Sequence, residues 1–311
     1  MNTHTNAHTF SSKKGTVVTI GTFDGVHLGH RKIIDRLNES ARANGWESCV
    51  LTFFPHPRMV LQKDTDIQLI NTINERAQLL NSLGLDHLVI HPFTIDFSRY
   101  HAEDFVEEIL VNSLNAKKVI IGYDHRFGRN RNANIEDLKK FGDKYDFEVE
   151  EISKQELEDV AISSTKIRKA LLHGDISQAN DYLGVPFSIS GTVIHGKKIG
   201  KTIGYPTANL QVEEEYKLIP AKGVYVVKCN MKGNTVYGMM NIGTNPTVNG
   251  KTQSIETYFF DFEDDLYDKK LEIELLTRIR EEKTFDSIDD LVSAIKEDEV
   301  FSKKYINKLS N

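Results

Sequence analysis

The chain has 311 residues, 39% of them hydrophobic and 27% charged, enough for two domains with a core in each. Lys and Arg number 39 against 45 Asp and Glu, a formal charge of −6, which argues against a dedicated nucleic-acid binder but leaves room for a local basic pocket. Two cysteines, Cys49 and Cys229, exclude a disulfide framework and fit a reducing cytoplasm; no apolar run of about 18 residues offers a membrane span, and the polar first 15 residues lack the apolar core of a signal peptide.

Residues 1–14 are rich in Thr, Asn, His, Ser and Lys and read as a loosely attached arm, His4 and His8 included. Thr16–Ile20 is a β-branched run that predicts a buried strand, and a helical stretch carrying Ile33, Ile34 and Leu37 follows. Further strands are predicted at Ser48–Phe53, His87–Ile90, Lys118–Ile121 and Phe147–Ile152. Helical spacing fills the gaps at Asn74–Leu83, Ala102–Leu114 and Ile135–Phe141. Such alternation predicts a parallel sheet with helices on both faces, and ligands bind such sheets at the carboxyl ends of the strands.

Residues 164–183 read as two helices broken at Gly174, with Asp175 and Gln178 at capping-box spacing. Gly184-Val185-Pro186 punctuates the chain, placing the domain boundary near 185 and dividing it into 1–185 and 186–311. Beyond it, strand-like runs at Phe187–Ile194, Gly223–Asn230, Thr235–Ile242, Ser254–Phe262 and Lys270–Leu276 are separated by turns rather than helices. They predict a small antiparallel barrel. A last helix, Ser287–Lys296, has Ile288, Leu291, Val292 and Ile295 on its apolar face.

Three stretches carry chemistry. Gly21-Thr22-Phe23-Asp24-Gly25-Val26-His27-Leu28-Gly29-His30 joins the first strand to the first helix. Glycines at Gly21 and Gly25 let backbone approach a ligand, and the helix N-terminus attracts an anion. His27 and His30 flank Gly29, placed to donate to a phosphoryl group; the plainer reading makes them caps or core residues. Ser163-Ser164-Thr165-Lys166-Ile167-Arg168 offers hydroxyls and cations at another helix start, where Ser and Thr are also ordinary N-caps. Gly196, Gly200 and Gly204 recur at intervals of four in a loop with Lys197, Lys198 and Lys201. It lacks the spacing of a P-loop; Thr207 and Asn209 at its end offer oxygens to a hard cation such as Mg²⁺.

The first two stretches together resemble the nucleotidyltransferase superfamily. Phe53-Phe54-Pro55-His56-Pro57-Arg58 and Gly122-Tyr123-Asp124-His125-Arg126-Phe127-Gly128 narrow the resemblance to bacterial FAD synthetases, the bifunctional riboflavin kinase/FMN adenylyltransferases. The third stretch resembles the riboflavin kinase signature, and Gly223-Val224-Tyr225, Asn241–Thr247 and Ile255-Glu256-Thr257-Tyr258 follow in that family's order. Arg280 and Phe285 are similar to its flavin-side segment, although Arg280 serves equally as a surface ion-pair partner. The resemblance spans roughly residues 16–298.

It implies an α/β nucleotidyltransferase domain with a Rossmann-like parallel sheet, then a small antiparallel β-barrel domain with a C-terminal helix. It implies phosphorylation of riboflavin to FMN, then adenylylation of FMN to FAD, with ATP and Mg²⁺. The implied catalytic residues are Glu256, as base, with His27 and His30. Gly21, Phe23, Asp24, Gly25, His56, Asp124, Phe127, Ser163, Ser164, Thr165 and Arg168 would hold substrate in the first domain. Gly196, Gly200, Gly204, Thr207, Asn209, Asn241 and Arg280 would do so in the second, with Thr207 and Asn209 on the metal. The implied protein is a cytoplasmic monomer or weak homo-oligomer that binds small molecules, neither nucleic acid nor membrane. Two rivals share parts of the pattern: a tRNA-charging protein, which would be retained on tRNA, and a flavin sensor, which would bind without turnover.

Overall fold

The computed structural model describes the chain except residues 62–66, 124, 154–161, 197–198, 248–249 and 310–311. It forms two compact units, Met1–Ser164 and Thr165–Asn311.

The first unit holds strands β1 (Asn2–His4), β2 (Thr16–Ile20), β3 (Glu47–Phe54), β4 (His87–Pro92), β5 (Ala116–Gly122) and β6 (Glu148–Ile152). Their order across the sheet is β1-β4-β3-β2-β5-β6, parallel at every pairing. Helices α1 (Leu28–Asn44), α2 (Pro57–Leu61), α3 (Ile73–Ser82), α4 (Ala102–Asp104, running on as a π-helical stretch, Phe105–Ser113) and α5 (Ile135–Tyr145) connect them. All five residues of β2 are buried, because both of its faces are covered. Side chains alternate between faces, so Val18 joins a core with Leu51, Ile109 and Leu138, while Val17 joins another with Ile34, Leu37, Val50 and Leu80. Strands after β2 build first to one side and then, from β5, to the other. That reversal opens a crevice at the carboxyl ends of β2 and β5.

The N-terminal arm is docked, contrary to its polar composition. Asn2–His4 pair in parallel with His87–Val89. Ala7 and Phe10 are buried in the core, and Ala7 N donates to His91 Nδ1 at 3.2 Å. His4 Nε2 lies 3.1 Å from His87 Nδ1, whose Nε2 is 3.0 Å from Glu47. Two apolar residues and a chain of imidazoles anchor what reads as a tail.

The second unit holds α6 (Ser164–His173, its first residue closing the first unit), α7 (Ile176–Leu183), β7 (Phe187–Ile194), α8 (Ile199–Thr202), β8 (Ala208–Gln211), β9 (Gly223–Met231), β10 (Asn234–Thr247), β11 (Gly250–Phe259), β12 (Lys270–Arg280) and α9 (Ile288–Leu309). The strands close into an antiparallel barrel, β10-β11-β8-β7-β12-β9, with β9 returning to β10. The break between α6 and α7 falls at Gly174, φ +78°, and Gln178 N donates to Asp175 Oδ1 at 3.1 Å. By packing, α6 and α7 side with the barrel: Asn180 accepts from Phe187 N at 2.7 Å and donates to Leu275 O at 2.9 Å, and Ala221 N donates to Leu171 O at 3.0 Å. Helix α9 runs well past Lys296, and Ile288, expected on its buried face, is exposed. Ile295 and Ile306 instead pack on a cluster of Val224, Met239, Tyr258 and Phe260. Among the described residues no helix is long and apolar enough to cross a membrane.

Candidate active sites

In the first unit, the loop from Gly21 to His27 sits at the carboxyl end of β2, beside the crevice. Gly25 has φ +91°, and Phe23 and Val26 also turn through positive φ, so the loop folds tightly against α1. His27 is the N-cap of α1, its Nδ1 accepting from His30 N at 3.3 Å. The two imidazoles stack at 3.7 Å, and Phe23 covers His30 at 4.9 Å. A Cβ on Gly29 would meet the His27 ring at 3.2 Å, which explains the small residue between the histidines.

Burial drives His27 down to about 4, opposed by the charge of Asp24. Burial, His27 and Arg76 hold His30 well below the usual imidazole range. Both rings are therefore neutral at neutral pH. Because Nδ1 of His27 accepts a bond, its proton resides on Nε2. His30 Nδ1 is buried with no hydrogen-bond partner among the described residues. A buried polar atom of that kind, at a helix N-terminus in a glycine loop, fits an anion-binding site.

Asp24 faces into the fold rather than into the loop's concavity: it is 1% exposed and accepts from Ile70 N, Asn71 N and Arg76. Its backbone oxygen accepts from Ser164 Oγ at 2.8 Å, which ties the start of α6 to the glycine loop. Ser163 precedes that helix, and Thr165 and Arg168 lie in its first turns. Gly21 leaves room for the Phe23 ring, 3.0 Å from where a Cβ would stand. His56 is buried at the start of α2 and accepts from Arg58 N at 3.1 Å. Phe127 belongs to the core, its backbone bridged to Ala133, while Asp124 lies outside the described residues. A cavity of about 470 Å³ opens beside Gly128, lined also by His101, Arg129, Asn130, Asp137 and Phe141. Neither histidine of the loop lines it. Sequence reasoning missed Arg76, 1% exposed and directly behind the Thr72–Glu75 capping box that starts α3.

In the barrel, register assembles the site. Asn209 of β8 pairs with Glu256 of β11, which pairs with Asn241 of β10. Asn241 pairs with Val224, and Val224 with Arg280. Directly opposed side chains stand on one face about 5 Å apart, so these residues form a row around the wall. Ile255, Thr257 and Phe259 are buried, and Glu256 therefore stands on the opposite face with Tyr258. Thr207 Oγ1 donates to Glu256 Oε2 at 3.3 Å, and Asn209 Nδ2 reaches Thr207 O at 3.5 Å.

The glycines of the preceding loop make room for this group. A Cβ on Gly196 would stand 2.4 Å from the Asn209 amide, and one on Gly200 would stand 2.2 Å from Tyr205 O. Gly204 has φ +83°. Arg280 shares the row, but its guanidinium forks onto Asp298 of α9 at 2.9 and 2.7 Å. Asp298 is buried, which raises its carboxyl above the usual range against the pull of Arg280. The ion-pair reading of Arg280 is what the geometry displays, and Asp298 had no signal in the sequence beyond its place on a helix.

The FAD synthetase family matches residues 9–166, and the riboflavin kinase family matches residues 183–306. A bifunctional riboflavin kinase/FMN adenylyltransferase from Listeria monocytogenes is 38% identical over 297 residues, 95% of this chain and 94% of that protein. The one from Buchnera aphidicola (Acyrthosiphon pisum) is 40% identical, covering 94% of each chain, and the one from Escherichia coli K12 is 35% identical, covering 94% and 93%. The crystal structure of a macrolide-efflux protein from Streptococcus pneumoniae is similar with TM-score 0.86 and 32% identity, covering 97% of this chain and 98% of that one.

Proposed function

This chain belongs to the family of bifunctional riboflavin kinase/FMN adenylyltransferases, and from that premise we propose how its residues divide the two reactions. The enzyme phosphorylates riboflavin with ATP to give FMN, then joins FMN to ATP to give FAD and pyrophosphate. That assignment displaces the tRNA-charging and sensor alternatives. One observation carries the division of labour: the histidine pair and the Glu256 row lie in different compact units.

In the barrel, the 5′-hydroxyl oxygen of riboflavin attacks the γ-phosphorus of ATP, the bond to the β-phosphate oxygen breaks, and ADP leaves. Glu256 takes the hydroxyl proton. Thr207, bonded to Glu256, orients that carboxylate. Thr207, Asn209 and Glu256 present oxygens with a single carboxylate among them, a donor set that suits a hard cation keeping waters and phosphate oxygens as its other ligands. Thr207 and Asn209 would hold Mg²⁺, whose charge offsets that of the phosphates. Asn241 flanks the base on its other side, and Gly196, Gly200 and Gly204 let the loop close on the phosphate tail.

In the first unit, an FMN phosphate oxygen attacks the α-phosphorus of ATP and pyrophosphate leaves. His27 and His30 act as neutral N–H donors to the charge that develops. Ser163, Ser164, Thr165 and Arg168 contact the phosphates, and His56, Asp124 and Phe127 belong to the flavin or nucleotide side. Asp24 shapes the loop from behind. The functional boundary stays near 185, since α6 carries a motif of the first reaction although it packs with the second unit. The protein acts in the cytoplasm, consistent with two buried unpaired thiols, on small molecules alone, as a monomer or weak homo-oligomer.

Purified protein incubated with riboflavin, ATP and Mg²⁺ should yield FMN first and FAD second on chromatographic separation. With FMN supplied directly, FAD should form without riboflavin phosphorylation. FMN as the sole product, even when FMN is supplied, would overturn the role of the histidine loop.

A further inference from the structure

Asp24 occupies the middle of the glycine loop, between Phe23 at φ +48° and Gly25 at φ +91°, yet its carboxylate points inward. There Oδ2 accepts from Ile70 N at 3.1 Å, Oδ1 from Asn71 N at 3.2 Å, and Arg76 approaches Oδ1 at 3.4 Å. Both charged side chains are 1% exposed. The same residue's carbonyl takes the Ser164 hydroxyl at 2.8 Å. A single loop residue thus links the start of α3, through Arg76, to the start of α6.

A buried ion pair contributes little to stability that well-packed apolar residues of similar volume would not. Its value here is directional: the Arg76 guanidinium and the Ile70 and Asn71 amides hold the carboxylate, and the carboxylate holds a loop whose three positive-φ turns set where His27 and His30 stand. We propose that Arg76 is a positioning residue for adenylyl transfer, holding the Gly21–His30 loop through Asp24 in the conformation that aims the histidine pair. The proposal rests on the reading that this pair serves FMN adenylylation.

Charge adds a second, separable effect. The groups that face His30 are the stacked His27 ring, the Phe23 ring and the Arg76 guanidinium. Arg76 is the only permanent cation named among them, and it opposes protonation of His30. Asp24 acts in the other direction on His27. Removing Arg76 takes away the cation that opposes protonation of His30.

The test compares Arg76→Lys, which keeps the charge and loses the planar guanidinium, with Arg76→Met, which loses both. FMN adenylylation is measured alongside an NMR pH titration of the histidine rings in the full chain. Arg76→Lys should lower kcat for FAD formation about 10- to 100-fold, with His30 still titrating as in the wild type. Arg76→Met should lower kcat at least as far and move the His30 titration to higher pH. If Arg76→Met does not fold, Arg76→Lys alone decides: wild-type kcat in that variant overturns the proposal. So does a fall in kcat matched by a loss of folded protein, with no change in His30 titration in either variant. His30→Ala separates the premise from the inference. If that variant keeps adenylylation, the underlying reading fails; if it is inactive while both Arg76 variants behave as wild type, only the role of Arg76 is lost.

Discussion

His27 and His30 are joined twice: their rings stack at 3.7 Å, 17° from parallel, and the His30 amide donates to His27 Nδ1 at 3.3 Å. A proton on Nδ1 would remove the acceptor and place a cation against its stacking partner. The arrangement is therefore one that only neutral imidazoles can hold, which makes the pair hydrogen-bond donors rather than counter-ions.

His30→Ala should reduce FAD formation from FMN about 10²- to 10³-fold, the usual scale for removing one donor at a developing negative charge. Riboflavin phosphorylation should stay within about twofold, because Glu256 lies in the other compact unit. Chromatographic assay of both steps on one preparation checks this. Parallel loss of both activities in folded protein would contradict the two-site reading.

Acid should destabilise the histidine loop. His27 has an ordinary value of 6.5 and a folded value of about 4, so between those limits the unfolded chain binds more protons. Stability from this ring is fully present above pH 6.5 and is lost as pH falls toward 4, a change on the order of 3 kcal/mol. His27→Asn retains a capping acceptor without titrating there. Urea unfolding across that range should give a shallower pH slope in the variant; identical slopes would refute the assignment.

Glu256→Gln should cut riboflavin phosphorylation about 10²- to 10⁴-fold, the contribution expected of a general base. The amide preserves shape and the contact with Thr207 Oγ1, now 3.3 Å from Glu256 Oε2, so folding should be unaffected. FAD formation from supplied FMN should persist. Wild-type kinase turnover by the variant would remove Glu256 from the role of base.

Gly196→Ala places a Cβ within 2.4 Å of the Asn209 amide, which must move. The KM for Mg·ATP in the kinase reaction should rise about tenfold or more, with little change in thermal stability, since Asn209 lies on the half-buried outer face of the barrel. Asn209→Ala should show a comparable rise, and the double variant should add little to either. Additive effects would mean that the methyl and the amide do not interact.

Much of this architecture is legible in the sequence because local periodicity and tertiary burial agree. Thr16–Ile20 and Phe187–Ile194 fall where the β-branched runs predict. The arm does not, since β1 is only three residues long and its anchors, Ala7 and Phe10, are too few to form a pattern. Strand β8 has only four residues and starts two positions after Pro206, too short a run to carry a strand pattern, although it brings Asn209 into the row. Candidate residues that sit inside the motifs carry a sequence signal. Arg76 does not, because an arginine on an amphipathic helix is ordinarily solvated, and only the inward turn of Asp24 reveals its partner.

A closed barrel has no free edge, and that bears on how faithfully Asn209, Glu256 and Asn241 keep station. In an open sheet an outer strand can slip by a residue and carry its side chains to the wrong face. Here each of the three strands is gripped on both flanks, and a slip anywhere must be matched all the way around the ring. The spacing of the carboxylate and the two amides is thus a discrete property of the ring's stagger, able to fail by unfolding but not to drift.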